Sequence, residues 1–343
     1  MNGTASNACE SLILNMPLVH PSSYSSKPWY LFNEHMETII PSIFNKVPDV
    51  SYERERLELN DGDFLDLDWI KNGHKRLMII GHGAMGNSER HYVKRPAKFF
   101  SEKSWDILAW NSRGCSGEPN RLPRLYHHGE TEDLSAVVNH GLTQGYEQIF
   151  LLGLSMNGCQ TVKYFGEKKR ADRVLGGFAV SVSFSLKDTT IQAEKQLNGL
   201  YAKQFLKGLK EQYRAKKADH LLLREVDFEK IKTFDELNEQ VSIKAFGYAD
   251  LEEFYHKASC INYVEDIDRP VFVLNAKNDP LLGSDCYPEA MIQKHPFLYG
   301  EFPRHGGHVG FTISGDKYSY IERRAERFIN EVIFSSRSSV KGR

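Results

Sequence analysis

The chain predicts an α/β fold in which a mostly parallel central sheet is flanked by helices and a helical cap is inserted between two strands. Three observations carry this. From residue 77 onward, short apolar runs alternate with helical stretches, the pattern of buried parallel strands joined by crossover helices. Between residues 183 and 268 the strand-like runs stop, and apolar residues recur at helical spacing (Leu197, Tyr201, Phe205, Leu209, Tyr213). At 150–158 a strand-like run passes without a loop into a glycine, a serine and a helix.

Taken in order, residues 1–28 are polar and rich in Ser, Asn and Pro, an extension that lies over the domain or is partly mobile. Runs 52–59 and 64–70 alternate charged and apolar positions around Asn60-Asp61-Gly62, a hairpin signal for two antiparallel edge strands. Strands follow at 77–81, 105–110, 148–153, 175–182, 271–275 and 298–302, and helices at 89–102, 130–142, 156–168 and 318–333. The chain therefore divides into an N-terminal extension (1–45), a first core segment (46–182), a cap (183–268), a second core segment (269–336) and a flexible tail (337–343). With 343 residues and 41% hydrophobic content, one large domain with an insertion fits better than two independent folds.

A formal net charge of −1 argues against a surface built to grip nucleic acid. Five cysteines without CxxC spacing (Cys9, Cys115, Cys159, Cys260, Cys286) cannot form a complete disulfide framework, and reduced thiols in a cytoplasm are the simplest reading. The N-terminus lacks a basic n-region and a long apolar run, and no window approaches the roughly 18 apolar residues of a spanning helix. A soluble cytoplasmic protein is expected.

The stretch Gly153-Leu154-Ser155-Met156-Asn157-Gly158 approaches the nucleophile elbow G-x-S-x-G, with Asn157 at the second glycine position. The alternative is a serine that caps a helix. A serine nucleophile needs a base within hydrogen-bond reach and a third group to hold that base. His308, on a Gly-rich, mobile loop after the last strand, is placed to be the base, and Asp279, after the preceding strand, to orient it. A purely structural His308 loop and an Asx-type turn at Asp279 before Pro280 are the competing readings. That Ser155, Asp279 and His308 all fall after consecutive strands, in this order, is nevertheless much harder to reach by accident than any one of them alone. His82-Gly83-Ala84-Met85-Gly86 follows an early strand, and the backbone amides of Ala84 and Met156 are the expected oxyanion hole. The glycines could equally make a tight turn.

Other clusters carry less. His305, His308, His127, His128 and Glu130 lie in separate loops without a helical H-E-x-x-H, so no metal is expected. Cys115 and Cys159 read as small buried thiols. Between residues 195 and 217, seven basic residues stand against one acidic residue, which offers either peripheral contact with anionic lipid or a solvated helix face.

The passages NEHMETIIPSIF, NSRGCSGEPNRLPRLYHHGETEDL, GLSMNG, YADLEEFYHKASCINYVEDIDRPVFVLNAKNDPLL and RHGGHVGF together resemble the YheT-like branch of the α/β-hydrolase superfamily, across residues 29–333. The resemblance implies the α/β-hydrolase fold, Ser155, Asp279 and His308 as nucleophile, acid and base, and segment 183–268 as the family's helical cap. The family usually carries G-x-S-x-G-G, from which Asn157 departs. Arg113 and Glu118 are expected to be structural, bridging loops near the pocket. The expected activity is a serine hydrolase acting on short- to medium-chain acyl esters, with no cofactor and a small-molecule ester as its partner. An acyltransferase using the same residues, or a non-catalytic binding protein on the same fold, are the alternatives.

Overall fold

The computed structural model describes residues 17–44 and 49–335; Cys9, the start of the expected extension and the tail 337–343 lie outside them. Among the described residues nine strands form one sheet: β1 (Leu18–Val19), β2 (Glu53–Glu58), β3 (Phe64–Ile70), β4 (Arg76–Gly81), β5 (Asp106–Asn111), β6 (Gln148–Leu154), β7 (Val174–Val180), β8 (Val271–Leu274) and β9 (Leu298–Glu301). Their spatial order is β1-β9-β8-β7-β6-β4-β5-β3-β2, with β4 and β6 side by side near the centre. Every pairing is parallel except β2 with β3 and β3 with β5. The sequence pattern suggested two edge strands at 52–70, but only β2 is an edge. β3 lies between β2 and β5, and six of its seven residues are buried, so its alternation of Asp and apolar residues reflects buried ion pairs on one face. Arg54 and Arg56 on β2 reach across to Asp68 and Asp66.

The core lies on both faces of this sheet, because neighbouring residues on a strand point to opposite sides. Met78, Ile80, Phe150, Leu152, Phe178 and Phe272 pack against helices on one face, and Leu77, Ile79, Ile149, Leu151, Val271 and Val273 on the other. The helices are α1 (Glu34–Phe44), α2 (His91–Ser101), α3 (Glu132–Thr143), α4 (Met156–Glu167), α5 (Leu186–Lys195), α6 (Leu200–Ala215), α7 (Leu251–Ala258) and α8 (Tyr320–Phe328), with shorter turns between them. Helices α2 and α8 cover the first face, and α3 and α4 the second. No described helix is long and apolar enough to cross a membrane.

The helical segment between two strands is as the sequence predicts; what differs is the place of residues 17–44, expected as an extension, and the burial of Lys216. Here β1 pairs with β9 at the sheet edge, and α1 packs on the loop that carries His308. Between β7 and β8 the chain builds α5, α6, α7 and short helical turns, whose apolar side packs on Met156, Leu125, Tyr126 and Cys115. Lys216, one of the seven basic residues of this segment, is buried and donates to Asn120 Oδ1 (2.6 Å) and to the carbonyls of Leu122 and Arg124. Burial pushes its ammonium down to about 7. It fastens the helical segment to the core instead of facing solvent.

Candidate active site

The site forms at the carboxyl ends of β4, β6, β8 and β9, where an open α/β sheet presents its loops. β6 ends at Leu154 and α4 begins at Met156, so Ser155 alone must turn the chain. It does so at φ 56° and ψ −117°, a backbone conformation a non-glycine residue holds only when its surroundings enforce it. Its amide is tied to Val180 O (2.8 Å) on β7. The turn is tight enough that a Cβ on Gly153 would lie 2.2 Å from Asn157 O, so strand and helix meet only because residue 153 has no side chain.

Asn157 occupies the position where the elbow pattern has glycine, and the fold makes room for it at another place. Its side chain lies against Gly81 at the end of β4, where a Cβ would come within 2.2 Å of Asn157 Oδ1. Its Nδ2 donates to His82 O (2.6 Å), so the buried amide is hydrogen bonded. Asn157 thereby ties the elbow to the turn that follows β4.

Ser155 stands at the N-cap of α4, yet its side chain makes no capping bond. Its Oγ lies 2.8 Å from His308 Nε2. His308 Nδ1 lies 2.8 Å from Asp279 Oδ2 and 3.1 Å from Oδ1. An imidazole facing a carboxylate at Nδ1 holds its proton there, which leaves the Nε2 lone pair for the serine hydroxyl. Asp279 Oδ1 also accepts from Leu281 N (2.9 Å), so the turn before Pro280 and the contact with His308 are made by the same carboxylate. The three residues read from sequence are therefore one continuous hydrogen-bonded chain.

Ala84 and Met156, expected to supply amides for an oxyanion, line one pocket with Ser155 and His308. Met156 is the first residue of α4, so its amide has no acceptor within the helix. The turn carrying Ala84 is fixed from beneath by His82, which is fully buried. Its Nε2 accepts from Ser112 N (3.0 Å), which leaves Nδ1 to donate to Gly83 O (2.7 Å). Burial holds this imidazole neutral, down to about 4. From above, Tyr126 Oη accepts from Met85 N (3.2 Å) and donates to Gln212 Oε1 (3.0 Å) on α6.

The remaining wall of the pocket is mostly apolar, with Leu186, Ala193, Phe205, Leu209, Phe234, Leu237 and Phe254 contributed by the segment between β7 and β8. His127 and His128 also line it. Among the described residues no group of three His, Cys, Asp or Glu side chains gathers in a metal-binding arrangement. Cys115 and Cys159 are buried thiols. Arg113 is buried among Asp133, Asp63 and Asp61, with contacts of 2.7–2.9 Å, and Asn120 passes the network on from Asp63 to Lys216. Glu118 pairs with Arg56 at the surface.

Sequence reasoning missed two residues of α1. Glu37, a buried carboxylate, accepts from Gly306 N (2.6 Å) and Asn278 Nδ2 (3.1 Å), and Thr38 Oγ1 accepts from His308 N (3.0 Å). The His308 loop, expected to be mobile because it is Gly-rich, is instead pinned.

No family model matches this chain. It is 29% identical over 287 residues to YheT of Escherichia coli, a protein bearing an esterase name, covering 81% of this chain and 84% of that one. It is 25% identical over 312 residues to the phospholipase ABHD3 of Mus musculus, covering 87% and 76%. Among solved structures, the Pyrococcus furiosus esterase Pf2001 superposes with a TM-score of 0.57 at 18% identity, over 85% of this chain and 96% of that one. Est1E from Butyrivibrio proteoclasticus does so with a TM-score of 0.51 at 15% identity, over 82% and 98%. At such identities the structural likeness speaks for the fold alone. The chain has the α/β-hydrolase fold, and in sequence it is similar to YheT and ABHD3.

Proposed function

We propose that the protein is a hydrolase of carboxylic esters with short- to medium-chain acyl groups, working through Ser155, His308 and Asp279. The observation that carries the reading is the position of His308 between the other two, 2.8 Å from Ser155 Oγ and 2.8 Å from Asp279 Oδ2. The esterase and phospholipase names of the relatives agree with it.

In this reading Ser155 Oγ attacks the ester carbonyl while its proton passes to His308 Nε2. The imidazolium so formed is stabilised by Asp279, and the carbonyl oxygen takes up the negative charge facing the Ala84 and Met156 amides. Collapse breaks the bond to the alcohol oxygen, which leaves with the proton from His308 Nε2. Water then gives its proton to His308, attacks the acyl-enzyme and releases the carboxylic acid and Ser155. The apolar wall built by Phe205, Leu209, Phe234 and Leu237 suits an acyl chain.

Fluorophosphonate labelling of the protein beside Ser155→Ala tests this, followed by p-nitrophenyl esters from acetate to decanoate. The expected result is an adduct mapped to Ser155 and absent from the variant, with kcat reduced by on the order of 10⁶ in Ser155→Ala. An adduct elsewhere, or unchanged hydrolysis by the variant, would remove the reading.

A further inference from the structure

The sequence singles out NEHMETIIPSIF, yet the chemistry above uses none of it. In the structure this segment is α1, and its inward side touches the loop that carries His308. Four consecutive amides of that loop each donate to a side chain: Gly306 N to Glu37 Oε2 (2.6 Å), Gly307 N to Asn278 Oδ1 (3.1 Å), His308 N to Thr38 Oγ1 (3.0 Å) and Val309 N to Ser181 Oγ (2.9 Å). Two of these acceptors are on α1, and a third, Asn278, is held by donating to Glu37 Oε2 (3.1 Å).

The loop needs such support. Val309 sits at φ 57° and Phe311 at φ 44°, conformations costly for branched and bulky side chains and kept only where neighbours fix them. The glycines have a second purpose here. A Cβ on Gly307 would lie 2.8 Å from Thr38 Oγ1, and one on Gly310 would lie 2.2 Å from Glu37 O, so the loop is glycine-rich because α1 lies directly on it. Glu37 in turn is held by Lys27 Nζ (2.7 Å), and the Thr38 hydroxyl is aimed by donating to Glu34 O (2.7 Å).

We infer that Glu37 and Thr38 are positioning residues for the base: they set the loop backbone so that His308 spans Ser155 and Asp279, and they join the loops bearing His308 and Asp279 into one rigid piece. Glu37 bridges the two loops through Gly306 and Asn278, the neighbour of Asp279. Thr38 fixes the His308 backbone itself. Neither touches the substrate. The inference rests on His308 being the base proposed above.

The test compares Thr38→Val, Thr38→Ser, Glu37→Gln and Glu37→Ala with the unmodified protein, with Ser155→Ala and His308→Ala as controls. Each is assayed for kcat and KM on a p-nitrophenyl ester, for the rate of fluorophosphonate labelling, and for its melting temperature. A displacement of about 1 Å at a reacting group costs on the order of 100-fold. Thr38→Val is therefore expected to lower kcat and the labelling rate together by about tenfold, and Glu37→Ala by about 100-fold, with KM within about twofold. Thr38→Ser, which keeps the hydroxyl, is expected to restore the rate. The low-field proton resonance of the His308–Asp279 pair is expected to shift or broaden in Thr38→Val while the protein stays folded. Should Thr38→Val fail to fold, Glu37→Ala, which removes the acceptor of both Gly306 N and Asn278 Nδ2, carries the same measurements, with Glu37→Gln, which keeps one acceptor oxygen, as the conservative comparison. Activity unchanged in Thr38→Val and Glu37→Ala, or a fall that Thr38→Ser does not reverse, overturns the inference while loss of labelling in Ser155→Ala leaves the proposed function standing. Retained labelling in Ser155→Ala overturns the proposed function instead.

Discussion

The elbow around Ser155 and the loop around His308 meet across one hydrogen bond but are held by opposite means. The elbow is supported from within the sheet: Gly153 lets strand and helix touch, Val180 on the neighbouring strand accepts the Ser155 amide, and Asn157 fills the gap over Gly81. The His308 loop has no such continuity with a helix and is held from outside by side chains of α1, which lies some 270 residues earlier in the chain. The lesson is about distance in sequence. A strained residue between a strand and a helix can be fixed by its immediate neighbours, whereas a strained loop needs partners supplied by the rest of the fold.

The comparison is broken most severely at Gly153. In Gly153→Ala the new methyl group meets Asn157 O at 2.2 Å and Thr161 Oγ1 at 2.3 Å, and the first of these is backbone that cannot step aside. The expected loss is more than about 3 kcal/mol, seen as a fall in melting temperature together with loss of fluorophosphonate labelling. Near wild-type stability would show that the elbow is looser than its contacts imply.

A finer test asks whether Asn157 and Gly81 are one unit. Asn157→Leu leaves His82 O without its donor in a buried site, which is expected to cost about 1–3 kcal/mol in denaturant unfolding. Gly81→Ala alone places a methyl group 2.2 Å from Asn157 Oδ1. Combined with Asn157→Gly, that clash is gone. The double variant is expected to be more stable than the two single effects added together, with a coupling of about 0.5–3 kcal/mol. Simple additivity would mean that the asparagine is a passive filler.

The same contrast explains what the sequence could and could not disclose. The elbow and the order of Ser155, Asp279 and His308 were legible because each sits beside its own strand and its signal spans a few residues. The strands were legible too, since buried parallel runs are continuous. The β3 position was not, because Asp66 and Asp68 look exposed until Arg54 and Arg56 are seen across the strand pair. The role of α1 was hidden for a related reason. Its buried side carries Glu37, whereas Ile43 and Phe44 are exposed, so hydrophobic patterning points the helix the wrong way round. Nothing in the pattern EHMETIIPSIF sets Glu37 and Thr38 apart from Glu34, His35 and Ser42 on the same helix.

Beneath the elbow, His82 offers the smallest and most quantitative test of how that side is held. It accepts from Ser112 N through Nε2 and donates to Gly83 O through Nδ1, so both ring nitrogens are committed to the neutral form. Burial takes it from an ordinary value of 6.5 down to about 4. A histidine depressed in the folded state contributes stability that is fully present above its unfolded value and is lost as pH falls toward the folded one, because the unfolded chain takes up the proton first. Between about pH 6.5 and 4 this single group is expected to remove about 1.4 kcal/mol per pH unit. In His82→Gln, whose side-chain oxygen can still accept from Ser112 N, unfolding measured across that range should begin from a lower stability at pH 8 and then fall less steeply by that amount. Protonating His82 also turns its Nε2 from acceptor into donor against the Ser112 amide, which would displace the turn bearing Ala84. Activity of the unmodified protein lost through this imidazole should therefore decline reversibly only around pH 4, at the lower end of that window, where the folded form itself takes up the proton, and a slope unchanged by His82→Gln would assign the acid sensitivity to other groups.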